Sequence, residues 1–380
     1  MAVTIHTSPQ LYTPSDSPIV WTFSSNQTAQ ANFSYIVDLY IGGALDSRHQ
    51  IFPESGIYAH FDASETMQSR CASANLNVNT FVRDADNYES CYVIVREYYG
   101  TTPALQANAT SSTIYPFKGY VSDDDIATWD YTDYLIGSAT SKFLTNFDRG
   151  SFRMIFEGTQ FLQIITNLTT TTLRLRYYDA NDNLTVTETQ AISNTYRITQ
   201  ICLNPTDFMP SFVGSSYVIA DIYDGGLLSE SITINIDVAN DCDIYTPVTW
   251  LNSLGGYDSW VFNFNKTESA DIQAFSYKRQ LGRWDGSSFL LDASVSGTNE
   301  YFKTIQDRGQ IVSGWLTQAQ QNSIVKLYES PYITMELSKL IFTNFTVVNS
   351  SYDIKQSRFE DLFNEVVEYR LSNNRKSPRL

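Results

Sequence analysis

Apolar and polar positions along this chain alternate mostly with the period of a strand. Ile19, Trp21 and Phe23 alternate with Val20, Thr22 and Ser24, and Phe33, Tyr35, Val37 and Leu39 repeat the pattern after a polar run over 24–30. Gly42 and Gly43 close the second of these strands. Over 90–99, Tyr92, Ile94 and Arg96 face away from Val93, Val95 and Glu97. Short half-buried strands separated by polar turns predict an antiparallel sandwich of the immunoglobulin or fibronectin III kind. Residues 100–113, rich in Ala, Thr and Ser, read as a loop or linker and place a domain boundary near 120.

A hairpin is predicted next, with Leu173, Leu175 and Tyr177 on one strand and Leu184 and Val186 on the other. Asp179, Asn181 and Asn183 supply the turn, because Asp and Asn bond their own backbone and tolerate the left-handed region. The same spacing resembles the start of a calcium loop. Leu184 stands where that loop needs Gly and Gln190 where it needs Glu, so the turn is the better reading. Strands are expected at 216–223 and 231–237. Residues 249–264 read as a strand, a Gly-Gly turn and a second strand that carries Trp260, Phe262 and Phe264 on one face. Such a stripe serves either as core or as a sugar-binding or subunit-contact surface.

One helix is expected near the C-terminus. Thr317 and Gln320 form a capping box, Ala319, Ile324, Leu327 and Tyr328 an apolar stripe, and Pro331 a stop. Strands are expected after it at 332–336 and 345–349. Phe359, Leu362 and Phe363 fit a helical period, but alternation from 364 to 371 favours a closing strand. Asp148-Arg-Gly150 and Asp307-Arg-Gly309 both read as turns. The predicted fold is mainly β, with two antiparallel sandwiches over 1–120 and 121–240. A C-terminal β-rich domain with one short helix would fill 241–380.

Composition agrees. Of 380 residues 42% are hydrophobic and only 17% charged, and 25 Tyr and 22 Phe suit a pleated surface. The net charge of −16 repels phosphate backbones, so sequence-specific nucleic-acid binding is not expected. Arg370, Arg375, Lys376 and Arg379 form a basic C-terminal cluster, either a solvated terminus or a docking arm. Cys71, Cys91, Cys202 and Cys242 lack zinc spacing, only three His are present, and free buried thiols are expected. The first residues lack a secretory pattern and no apolar run is long enough to span a bilayer, so membrane insertion is not expected and synthesis is placed in the cytoplasm. Without a secretory pattern, the Asn-x-Ser/Thr sequons are not read as glycosylated.

No nucleophile elbow, phosphate loop, zinc-protease helix or dinucleotide fingerprint occurs, so the chain is read as a non-enzyme without a cofactor. A glycosidase would need only two carboxylates, for which Asp123, Asp124 and Asp125 form the densest cluster. They also read as a solvated linker. Asp258 abuts a rigid aromatic segment and reads as a turn cap.

Several segments together resemble structural tail proteins of tailed phages infecting Bacteroidetes, the crAss-like phages among them. The N-terminal landmarks are Ser17-Pro-Ile-Val-Trp-Thr-Phe-Ser-Ser25, Asn32-Phe-Ser-Tyr-Ile-Val-Asp-Leu-Tyr40 and Phe61-Asp-Ala-Ser64. Lys142-Phe-Leu-Thr-Asn146 follows, and then the strongest, Cys242 with Trp250-Leu-Asn-Ser-Leu-Gly-Gly-Tyr-Asp258. Asp307-Arg-Gly309, Ser313-Gly-Trp315, Leu327-Tyr-Glu-Ser-Pro331 and Glu368-Tyr-Arg-Leu-Ser-Asn-Asn-Arg375 complete the order. Arg96 departs from the pattern, which has Gly there. The resemblance carries no catalytic residues. It implies a virion tail, hub or baseplate component made in the host cytoplasm, present as a ring-like homo-oligomer and docked to other tail proteins. The candidate structural or interface residues are Trp250, Asn252, Gly255, Gly256, Tyr257, Asp258, Trp260, Trp315, Arg370 and Arg375. The alternative is a receptor- or carbohydrate-binding tail module whose partner is a host surface glycan; a polysaccharide depolymerase is the third reading.

Overall fold

The computed structural model describes residues 3–54, 56–72, 76, 81–84, 87–122, 125–155, 158–193, 197–204, 211, 213–237, 245–279, 282–291, 297–338, 341–349 and 363–376. Asp123, Asp124, Cys242, Phe359, Leu362 and Arg379, all singled out above, lie outside these residues. The chain forms two compact units: Met1–Asp237 with Trp250–Ser259, and Val238–Thr249 with Trp260–Leu380.

The first unit opens with a seven-stranded sandwich. Strands Thr4–Thr7, Val20–Ser24 and Tyr58–Asp62 form one antiparallel sheet. Ala44–Ile51, Ser34–Ile41, Cys91–Tyr99 and Ala104–Thr110 form the other, in that order. The inward positions Trp21, Phe23, Tyr35, Val37, Leu39, Val93 and Val95 are buried in one core, each side chain worth roughly 1.5–3 kcal/mol. The strand over 104–110 corrects the loop expected there: its polar side chains face solvent on a sheet edge, and backbone pairing with Cys91–Tyr99 holds it. Between Tyr58–Asp62 and this hairpin lies a helix, Ser64–Arg70, that drops Met67 into the same core.

A second sandwich follows within the same unit. Its larger sheet runs Phe152–Ile155, Ile232–Asp237, Tyr217–Tyr223, Thr170–Tyr178, Leu184–Ser193, antiparallel except for the parallel first pair. Its smaller sheet holds Gln160–Ile165, Ile198–Leu203 and Val82–Asp84. The last of these strands comes from the segment linking two strands of the first sandwich, so the two sandwiches share a sheet. Arg197 adds a second tie: its guanidinium lies 3.9 Å from the Tyr115 ring and donates to Asn167 Oδ1 at 2.8 Å and the Tyr12 hydroxyl at 3.1 Å. The predicted hairpin turn forms as read, with Asp182 at φ 61° and Asp179 Oδ1 accepting from the Asn181 and Asn183 amides.

In the second unit, strands Ile333–Ser338, Ile341–Val347, Val366–Lys376, Gly297–Val312 and Asn265–Arg279 lie side by side in that order, each antiparallel to its neighbour. The helix Gln318–Ile324 carries the expected capping box on Thr317 and Gln320 and continues as a 3-10 turn over Val325–Glu329. Two expectations change here. Asp307-Arg-Gly309 lies inside a 16-residue strand, not in a turn. Arg370, Arg375 and Lys376 belong to the strand Val366–Lys376, where Arg375 Nε donates to Asp307 Oδ2 at 2.8 Å. These three residues are therefore part of a paired strand, with Arg375 and Lys376 exposed to solvent.

The longest elements escaped the sequence reading. Asn265–Arg279 and Gly297–Val312 pair along their full lengths, from Asn265 opposite Val312 to Arg279 opposite Gly297. The strand Val366–Lys376 backs this hairpin as far as Thr304, and among the described residues the hairpin beyond that point is two strands wide. Of the stripe read either as core or as a contact surface, Trp260 and Phe262 are buried, whereas Phe264 is exposed just past the Tyr257–Phe262 strand.

Candidate functional site

A cluster of the first unit's buried polar groups surrounds the turn that joins Thr246–Leu251 to Tyr257–Phe262. Asn252 organises it. Its Nδ2 donates to the Leu144 carbonyl at 3.1 Å and to Asp258 Oδ1 at 3.0 Å, and its Oδ1 accepts from the Leu254 and Gly256 amides at 3.0 and 2.9 Å. That uses both donors and both lone pairs of the side chain. Asp258 also accepts from Thr145 Oγ1 at 2.6 Å and the Asn146 amide at 3.1 Å. The Gly255 carbonyl accepts from Gln163 Nε2 at 3.1 Å and Asn87 Nδ2 at 3.2 Å.

Both glycines are dictated by space. Gly255 has φ +78°, and a Cβ there would sit 1.6 Å from the Lys118 carbonyl oxygen. At Gly256 a Cβ would sit 2.4 Å from the Leu144 carbonyl oxygen. Trp250 packs against Phe147 with ring centroids 5.9 Å apart, and Tyr257 against Phe161 at 6.0 Å. Two of the landmark segments, 142–146 and 250–258, therefore meet in one hydrogen-bonded clamp. Asn87, Gln163, Asn252 and Asp258 are buried, and Thr145 and Asn146 are half-buried. The arrangement fastens a returning segment of chain into the first unit and presents no group to a ligand.

Burial pushes the Asp258 carboxyl up to about 6, against the three hydrogen bonds that pull it down. The shift is that of a carboxylate removed from water with donors but no cation facing it.

The remaining candidate residues lie in the second unit. Trp260 is fully buried, whereas Trp315 is 63% exposed. Arg370 lines a cleft of about 270 Å³ with Arg308, Gln310, Glu368 and Tyr369. Gly309 sits on the same cleft, and a Cβ there would meet the Thr267 carbonyl oxygen at 2.4 Å.

Two clusters were missed by the sequence reading. On the outer face of the first sandwich, buried Asp38 accepts from Arg48 Nε at 2.5 Å and Arg96 Nε at 3.0 Å. Burial alone would raise its pKa, but the two arginines together hold it below the usual value. On the second sandwich, buried Asp221 accepts from Arg174 Nε at 2.9 Å and Arg176 Nη2 at 2.8 Å. Beside each cluster a cross-strand tyrosine pair stacks with centroids 4.9 Å apart, Tyr40 with Tyr92 and Tyr178 with Tyr217. Arg96, the departure from the landmark pattern, is thus a member of a repeated device. Its signal in the sequence was an ionic residue at an outward strand position on both partners.

Cys71, Cys91 and Cys202 are buried, and burial pushes the Cys71 and Cys91 thiols up to about 12. Among the described residues no helix is long and apolar enough to cross a membrane.

No protein-family model matches the chain, and no curated protein sequence matches it. Among solved structures, the chicken CNTN1 FN1–FN3 domains align with 62% of this chain and 69% of their own at 11% identity, with a TM-score of 0.18. A score that low carries no argument, and the fold assignment rests on the strand pairing described above.

Proposed function

We propose that the chain is a structural component of a phage virion tail (hub, ring or baseplate) that works by assembling with copies of itself and docking to other tail proteins. The tail context rests on the landmark resemblance. The observation that carries the assembling role is the hairpin of Asn265–Arg279 and Gly297–Val312, which leaves Ile272, Phe275, Tyr277 and Tyr301 in water. Trp284, Phe289 and Leu291, between its two strands, are exposed as well. A two-stranded ribbon is marginal by itself, and exposed apolar side chains gathered on one hairpin fit a binding surface. The −16 charge fits a tail component along which DNA must pass without adhering. Electron microscopy of the purified chain, with antibody labelling of virions, tests the proposal. Closed symmetric particles and label on the tail are the expected result. A monomer at every concentration, with no label on virions, overturns it.

A second reading, a receptor- or carbohydrate-binding module, is favoured by the exposure of Trp315 alone. Binding on a glycan array that disappears in Trp315→Ala would select it over the first.

A further inference from the structure

The outer edge of Asn265–Arg279 has no neighbouring strand among the described residues, because this strand is the last in its sheet. Fifteen residues make it roughly 50 Å long. It contains no proline, and the one register shift in its pairing places the extra residue, Tyr301, on the other strand. Natural proteins blunt such edges with short strands, prolines, bulges or charges; here the charges gather toward the two ends, and the uncharged stretch 272–277 is left as a template for another strand. The partner strand can be argued from charge order. Residues 265–272 carry Lys266, Glu268 and Asp271, a net of 1 − 2 = −1, while 276–279 carry Lys278 and Arg279, a net of +2. Glu268 pairs with Lys266 at 2.7 Å and Asp271 with Arg308 at 3.2 Å on the neighbouring strand, and both carboxylates stay exposed to a second cation from another copy. The acidic end is next to the broad part of the sheet and the basic end is distal. Between them lie the exposed Ile272, Phe275 and Tyr277.

We propose that this edge pairs antiparallel with the same edge of a second copy of the chain, across a two-fold axis near residues 273–275. Antiparallel pairing sets each acidic end against the other copy's basic end and stacks the apolar middle on itself. Parallel pairing would set like charge against like, which is unfavourable across strands. The main-chain groups along the edge then find partners, and the two-stranded part of each hairpin lies against the part of the other copy's hairpin that Val366–Lys376 backs. The proposal rests on the self-assembly reading and specifies its contact. A two-fold contact of this kind is isologous, so any larger ring would be built from dimers.

The test is sedimentation of the full chain and two charge-reversed variants, Glu268→Lys with Asp271→Lys, and Lys278→Glu with Arg279→Glu. The wild type is expected to form dimers or even-numbered assemblies. Each variant alone should associate at least about tenfold more weakly, since like charges now face each other. An equimolar mixture of the two should recover the wild-type association, because an edge of net +5 then meets one of net 1 − 4 = −3; recovery also shows that both variants are folded. If the variants associate like the wild type, or the mixture does not recover, the edge pairing is overturned while self-assembly through another surface stands. If the wild type is a monomer throughout, both readings fall.

Discussion

At Asp258, burial and hydrogen bonding act on one carboxyl group in opposite senses, and burial is the larger. The group titrates near 6 in the folded chain against 3.8 when solvated, so the folded state holds its proton more tightly. Stability from this group is therefore fully present below about pH 4 and is lost as pH rises through 6. A shift of about two units corresponds to about 3 kcal/mol between those limits. Urea unfolding of the first unit at pH 4.5 and 7 should show the wild type gaining stability toward the acid side. Asp258→Asn, which cannot titrate, should lose that portion of the pH dependence. Asp38 contributes with the opposite sign, since its pKa is lowered, and it is unchanged in the variant. The difference between the two proteins therefore isolates Asp258. An unchanged slope in the variant would show that the clamp does not hold the proton.

Elements whose stability comes from local sequence were legible, and those held by pairing were not. Thr317 and Gln320 sit three residues apart, and the structure gives them the reciprocal bonds that this spacing predicts. Thr317→Ala removes the bond to the Gln320 amide and is expected to cost about 1 kcal/mol, raising the exchange rate of that amide about fivefold. Hydrogen exchange reads this directly, and Thr317→Ser should restore the slow rate. The strands with one buried face, such as Cys91–Tyr99 and Thr170–Tyr178, showed themselves by alternation because one side of each enters a core. Ala104–Thr110 and Asn265–Arg279 have almost no buried side chains, so no apolar period marked them. The strand Tyr257–Phe262 shows the reverse: it is buried on both faces, and alternation could not predict that Phe264 would leave the core. Of the clamp, the glycines and Asp258 were visible as a motif. Their partners Leu144, Thr145 and Asn146 lie more than a hundred residues away, a relation no local pattern encodes.

For the whole molecule, the division into units does not follow chain order. The first unit ends at Asp237 and is then completed by Trp250–Ser259. Nothing in the sequence marked that return, because it depends on the fit of Gly255 and Gly256 against backbone from two other segments. A fragment ending at Asp237 would lack Trp250, Asn252 and Asp258, leaving an apolar cavity beside Phe147 and unpaired polar groups at Leu144 and Gln163. Cavity and unmet hydrogen bonds together cost several kcal/mol, on the order of 3–6. Thermal unfolding should place that fragment well below one extended through residue 262. Equal melting temperatures would show that the first unit does not need the segment.

The return of Trp250–Ser259 also sets a clock on synthesis. A ribosome that has released Asp237 must add 259 − 237 = 22 further residues before the last piece of the first unit is available. At ~5–20 residues per second this is a wait of roughly 1–4 s. During it the pocket that receives Trp250 stands open on the nascent chain, where a chaperone or a neighbouring nascent copy could enter it.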